Sequence, residues 1–121
     1  MAIDTLAVWH QIARDRDVAG LDGLLADHCV FHSPVVHTPQ VGKAVTTQYL
    51  AAALQVFFNE SFVYTRELTS DDHAILEFQV EINGITVNGV DMLTWDHSGQ
   101  IIDFKVMVRP LKAVRRVHEN M

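Results

Sequence analysis

Apolar residues recur every three to four positions at the start of the chain. Ile3, Leu6, Ala7, His10 and Ala13 share one face, with Trp9 beside it, and predict a helix over residues 4–16 opened by Asp4. Leu21, Leu24 and Leu25 predict a second, short helix over 20–27. Residues 29–32 are β-prone and stop at Ser33-Pro34. The two prolines between Ser33 and Val41 mark a loop. Gly42 then opens a longer helix to about Phe58. Its apolar residues (Val45, Tyr49, Leu50, Leu54, Val56, Phe57) surround the axis, so contacts on more than one side are expected.

The second half alternates with a period of two. Residues 61–69 are one candidate strand. In residues 74–82, Ala74, Leu76, Phe78, Val80 and Ile82 take one face, and Ile75, Glu77, Gln79 and Glu81 the other. Asn83-Gly84 signals a two-residue hairpin, and a strand from Ile85 to Trp95 follows. After the turn at residues 96–99, residues 100–109 alternate again, with Ile102, Phe104, Val106 and Val108 inward. Pro110 ends that strand, and a short helix follows it. Helices first and a meander of antiparallel strands last predict an α+β fold, with helices packed on one face of an antiparallel sheet.

The 121 residues have the size of one domain, and the 49% hydrophobic content excludes global disorder. No apolar run reaches the roughly 18–20 residues of a membrane span. The start has no basic region followed by an apolar stretch, so a secretory signal is not expected. The lone Cys29 has no internal disulfide partner; it reads as a small buried hydrophobe and suits a reducing cytoplasm. The net charge of −6 disfavours a nucleic-acid partner. It hides a split: residues 1–104 carry fourteen acids against four bases, whereas residues 105–121 carry five bases and one acid.

Asp91 breaks the alternation. It shares a parity with Ile85, Val87, Gly89, Leu93 and Trp95, while Thr86, Asn88, Thr94 and Asp96 take the other face. A carboxyl among core residues is costly when charged. It is either a structural acid held by a backbone or indole group, or a cavity-lining group that acts on a ligand. His32, where a strand enters a proline-containing loop, is the second candidate for proton exchange near neutral pH. His28, His32 and His37 lack metal-ligand spacing, and the chain has no nucleophile elbow or glycine-rich phosphate loop, so neither metal nor cofactor is expected.

Three stretches resemble a known family: Gly20-Leu-Asp-Gly-Leu-Leu-Ala-Asp-His-Cys-Val-Phe-His-Ser-Pro34, Pro39-Gln-Val-Gly42, and Gly89-Val-Asp-Met-Leu-Thr-Trp-Asp-His-Ser-Gly-Gln-Ile-Ile102. Together they resemble the nuclear transport factor 2-like superfamily, and within it the SnoaL-like branch of polyketide cyclases and its ketosteroid isomerase relatives. The resemblance implies a cone-shaped sheet around an apolar pocket, and commonly a homodimer through the outer sheet face. The isomerase uses an aspartate before a proline as base, matched here by Ser33. Its first-helix tyrosine is matched by Trp9, and its protonated late-strand aspartate by Asp91. Steroid isomerisation by that mechanism is therefore not expected. The same match places Tyr49, Leu76, Phe78, Val80, Phe104, Val106 and Val108 along the pocket wall, with Leu93 on the same inward parity.

The expected function is cofactor-independent acid–base chemistry (isomerase, cyclase or dehydratase type) on a small apolar molecule. Asp91 and His32 would act across one cavity, and Trp9, Ser33 and the wall residues would bind the substrate. The alternative is a non-catalytic module that binds a hydrophobic ligand or dimerises through an outer face containing Glu77, Gln79, Glu81, Met92, Thr94, Lys105 and Met107. An accessory protein without a small-molecule site is a third reading.

Overall fold

In the computed structural model, which describes residues 4–120, the Asp4 carboxylate accepts the Ala7 backbone N–H at 3.1 Å and caps helix α1 (Thr5–Asp15). Ile3, the first residue of the predicted helical face, lies outside the described residues. A 3₁₀ turn (Val18–Gly20) and a single turn of helix α2 (Leu21–Leu24) follow. The helix expected over 20–27 is cut short, because strand β1 (Leu25–His32) already begins at Leu25, which pairs with Ile101. That pairing buries Leu25 and overrides the local helical spacing.

The chain continues through β2 (Gln40–Val41), α3 (Lys43–Val56), β3 (Val63–Thr69), β4 (His73–Ile82), β5 (Ile85–Trp95), β6 (Ile101–Arg109) and α4 (Leu111–Asn120). Helix α3 buries Thr46, Leu50 and Leu54 along one face, while Tyr49, Ala53 and Val56 pack against the core from its flanks. Asn83 and Gly84 both take positive φ (48° and 82°), the backbone that a two-residue hairpin of this twist requires.

The six strands form one curved, open sheet in the order β2-β1-β6-β5-β4-β3. Four neighbouring pairs are antiparallel, but β1 runs parallel to β6, so the sheet is mixed rather than wholly antiparallel. These two strands are far apart in sequence and no hairpin joins them, which leaves the parallel direction open. The α+β organisation holds.

Strand β4 alternates as its sequence indicates: Ala74, Leu76, Phe78, Val80 and Ile82 are all buried. On β5 the buried set is Val87, Gly89, Asp91 and Leu93. On β6 the inward residues are Ile101, Phe104 and Val106. Ile102, expected inward, is only half-buried, because the pairing with β5 shifts between Thr94 and Trp95 and reverses the alternation there. Cys29 is fully buried. No described helix is long and apolar enough to cross a membrane.

Candidate active site

Asp91 sits in the middle of β5, with Leu76 opposite it on β4 and Val106 opposite it on β6. Both lateral neighbours are apolar, so neither adjacent strand offers the carboxyl a polar partner at its own level. The partner arrives from two strands away. Tyr64 on β3 reaches past β4, and its hydroxyl donates to Asp91 Oδ2 at 2.7 Å. Helix α1 supplies the next link, where Trp9 Nε1–H donates to the Tyr64 hydroxyl oxygen at 3.0 Å. The result is a chain of three groups, Trp9 to Tyr64 to Asp91.

Aromatic side chains wall in this polar chain. Trp9 meets Phe104 edge-on at 5.1 Å, Phe62 stacks on Phe78 at 5.3 Å, and Phe62 meets Tyr64 edge-on at 4.9 Å. Phe78 lies so close to β5 that a side chain at position 89 has no room: a Cβ on Gly89 would stand 2.8 Å from both Phe78 Cε2 and the Met107 carbonyl oxygen. Asp91 is only 5% exposed, and burial pushes its carboxyl up to about 7, against the smaller opposing effect of the Tyr64 hydrogen bond. Desolvation first, and then the neighbouring Asp91 charge, hold the Tyr64 hydroxyl well above its ordinary value, so it stays protonated. The acid therefore changes charge near neutral pH, beside a tyrosine that does not.

Asp91 lines a cavity of about 20 Å³ together with Trp9, Leu50, Ala53, Phe57, Phe58, Phe62, Phe78, Phe104 and Val106. That space accommodates about one water molecule. Of the residues expected along the wall, Trp9, Phe78, Phe104 and Val106 border this cavity. Leu76, Val80 and Leu93 are buried in the core without bordering it. Val108 instead borders a groove of about 410 Å³ that also contains the exposed residues Arg66 and Met107.

Ser33 and Tyr49 lie in a third place, a cavity of about 460 Å³ between the loop after β1, helix α3 and the end of α4. Tyr49 stacks on Phe31 at 5.0 Å. The Ser33 hydroxyl accepts the N–H groups of Val35 and Val36 at 3.1 and 3.3 Å and so folds its own loop. His32 does not share a cavity with Asp91. Its neighbour Phe31 points into the core, so His32 points to the other face of the sheet, where Nε2 lies 2.9 Å from Asp103 Oδ1. The expected pairing of the two groups across one cavity is thus corrected by strand parity: consecutive residues of β1 face opposite ways.

Tyr64 is the residue that sequence reasoning missed. It shares a parity with Phe62, which was the available signal. A bulge between Tyr64 and Arg66 hid it, because the parity then switches and Glu67 comes to lie opposite Leu76. Glu67 pairs there with His10 Nε2 at 2.8 Å, and the His10 ring meets Tyr64 edge-on at 5.3 Å. Among the described residues no group of three histidine, cysteine or acidic side chains is arranged to hold a metal ion.

Comparison with known proteins places this geometry. A steroid delta-isomerase from Pseudomonas aeruginosa superposes with a TM-score of 0.90 at 39% identity, over 96% of this chain and 85% of that one. An uncharacterised protein with a cystatin-like fold from Silicibacter pomeroyi DSS-3 superposes with a TM-score of 0.88 at 29% identity, over 97% and 82%. The epoxide hydrolase/cyclase-like enzyme SalBIII, of pyran ring formation in polyether salinomycin, shares the fold at 16% identity with a TM-score of 0.70, over 88% of each chain. No curated protein matches the sequence. The family model of the SnoaL-like domain matches residues 6–104, a span from α1 to the middle of β6 that includes Trp9, Tyr64 and Asp91, and the chain belongs to that family.

Proposed function

We propose that the protein is a cofactor-independent acid–base enzyme of the isomerase, cyclase or dehydratase type, acting on a small, mostly apolar molecule through Asp91. One observation carries the reading: a buried carboxyl that changes charge near pH 7, held by a tyrosine inside an aromatic enclosure. A neutral acid in such a site donates to a developing oxyanion, and its conjugate base takes a proton back. The likeness to a steroid delta-isomerase and to a cyclase-like enzyme supports this class of chemistry. The isomerase mechanism itself fits poorly, since Ser33 stands at the position of the base and its hydroxyl is engaged by its own loop.

The substrate has to displace aromatic side chains to reach Asp91, because the space beside it holds about one water. Phe58 and Phe62 are the partly exposed aromatic members of that wall and are the side chains that would move. The test is turnover of a panel of small unsaturated and hydroxylated ketones. Asp91→Asn is expected to lower kcat/KM by about 10²–10⁴-fold, and His32→Ala to leave it unchanged. Equal rates for Asp91→Asn and the parent would overturn the assignment.

The narrow cavity also favours a second reading, a non-catalytic domain in which the three-group chain only organises the core. Failure of every ketone to turn over or to bind would favour it. In either reading we propose a homodimer through the outer sheet face. The exposed Leu68, Ile75 and Met107 around the 410 Å³ groove support that interface.

A further inference from the structure

We propose that Trp9 and Tyr64 are positioning residues that set the direction of the proton at Asp91, leaving Oδ1 as the oxygen that presents it to the cavity. This deepens the acid–base reading and rests on it. The argument uses only what each group can donate or accept. An indole N–H donates and never accepts, and a tyrosine hydroxyl has a single hydrogen. Trp9 Nε1–H is 3.0 Å from the Tyr64 oxygen and occupies its accepting side. The Tyr64 hydrogen then has one place to go, Asp91 Oδ2 at 2.7 Å. A proton on Oδ2 would either face that hydrogen or leave it the hydroxyl oxygen of the acid, a poorer acceptor than the carbonyl oxygen. Neutral Asp91 therefore carries its proton on Oδ1, which has no protein partner among the described residues.

Two consequences follow for ligand choice. Trp9 has spent its one N–H on Tyr64, so it does not donate to a substrate oxygen, the role its position suggests. Neutral Asp91 offers a donor from Oδ1 and selects a ligand with an acceptor such as a carbonyl oxygen. Ionised Asp91 selects a donor instead. Few other charges intrude. The other side chains that line the cavity with Asp91, from α1, α3, the 57–62 turn, β4 and β6, are apolar or aromatic and none of them is acidic or basic. Tyr64 from β3 is the titratable neighbour, and the His10–Glu67 pair lies beyond its ring.

The test reads the titration of Asp91 by carbon NMR of labelled aspartate in the whole protein, without substrate, with Asp91→Asn assigning the signal. Trp9 is replaced by benzothienylalanine, which keeps the shape and swaps the N–H for sulfur, so a folding defect does not confuse the result. With the N–H gone, the Tyr64 hydroxyl is free to accept from neutral Asp91. The midpoint is expected to rise by about one pH unit, a tenfold gain in proton affinity. Tyr64→Phe removes the donor to the carboxylate and should raise the midpoint at least as far. An unmoved midpoint in the benzothienyl protein, or a fall in either variant, overturns the proposal. Turnover is read with substrate and the midpoint without one, so the acid–base assignment and this inference can fail separately.

Discussion

Asp91→Asn should remove a pH dependence from the stability of the fold. In the folded chain the carboxyl takes up its proton at about 7, against an ordinary value of 3.8. Between those limits the folded state holds one more proton than the unfolded state. Stability is thus fully present below about pH 4 and falls as pH rises, until the folded group has ionised above 7. Each pH unit in this window is worth roughly 1.4 kcal/mol. From pH 5 to pH 8 the parent should lose about 3 kcal/mol through this group alone. Asparagine keeps the shape and carries no such proton. The assay is urea denaturation of both proteins at pH 5 and pH 8, followed by tryptophan fluorescence. The quantity to compare is the variant's stability minus the parent's, because every other ionisable group is common to both and cancels. That difference should move in favour of the variant by about 3 kcal/mol between the two pH values. A difference that stays constant to within about 0.5 kcal/mol, well inside the error of extrapolation, would show that the carboxyl is already ionised at pH 5. It would remove the physical basis for its role.

Two further perturbations test the surroundings of the site. Gly89→Ala places a methyl group against Phe78 and the Met107 carbonyl, and should cost about 1–3 kcal/mol in urea denaturation; no loss would mean that Phe78 is not held where it borders the cavity. Met107→Arg puts a charge on the wall of the outer-face groove and should convert a dimer into a monomer in sedimentation velocity. A parent protein that is already monomeric at working concentration refutes the interface.

The strand half of the fold was legible because its period is two and its turns carry their own chemistry. Asn83-Gly84 and the buried positions of β4 follow directly from that alternation. Asp91 was visible for the same reason: one polar residue on an apolar parity. The less legible parts are those where one strand meets another out of step. Tyr64 is hidden by a bulge whose position depends on β4, and Ile102 departs from its expected inward parity because that parity depends on a shift against β5. His32 is ambiguous in sequence, since Val30 and Phe31 are both apolar, and only the packing of Phe31 on Tyr49 decides its direction. The early start of β1 is likewise set by β6, which lies far along the chain. Side-chain identity reports which face a residue prefers; the facing strand decides where the count restarts.

The parallel pairing of β1 with β6 has a consequence for how the chain matures. The Thr5 hydroxyl donates to the Gly99 carbonyl across 94 residues, and His32 meets Asp103 across 71. Contacts of such separation make folding slow, because the loop must close before they contribute. During synthesis α1, α2 and β1 emerge first, with Leu25 and Phe31 lacking the strand that covers them. They wait until residues 101–109 have been made. The last strand to appear is therefore the one that seals the first, and a nascent chain stopped before it would expose β1 as an open edge to chaperones and to other copies of itself.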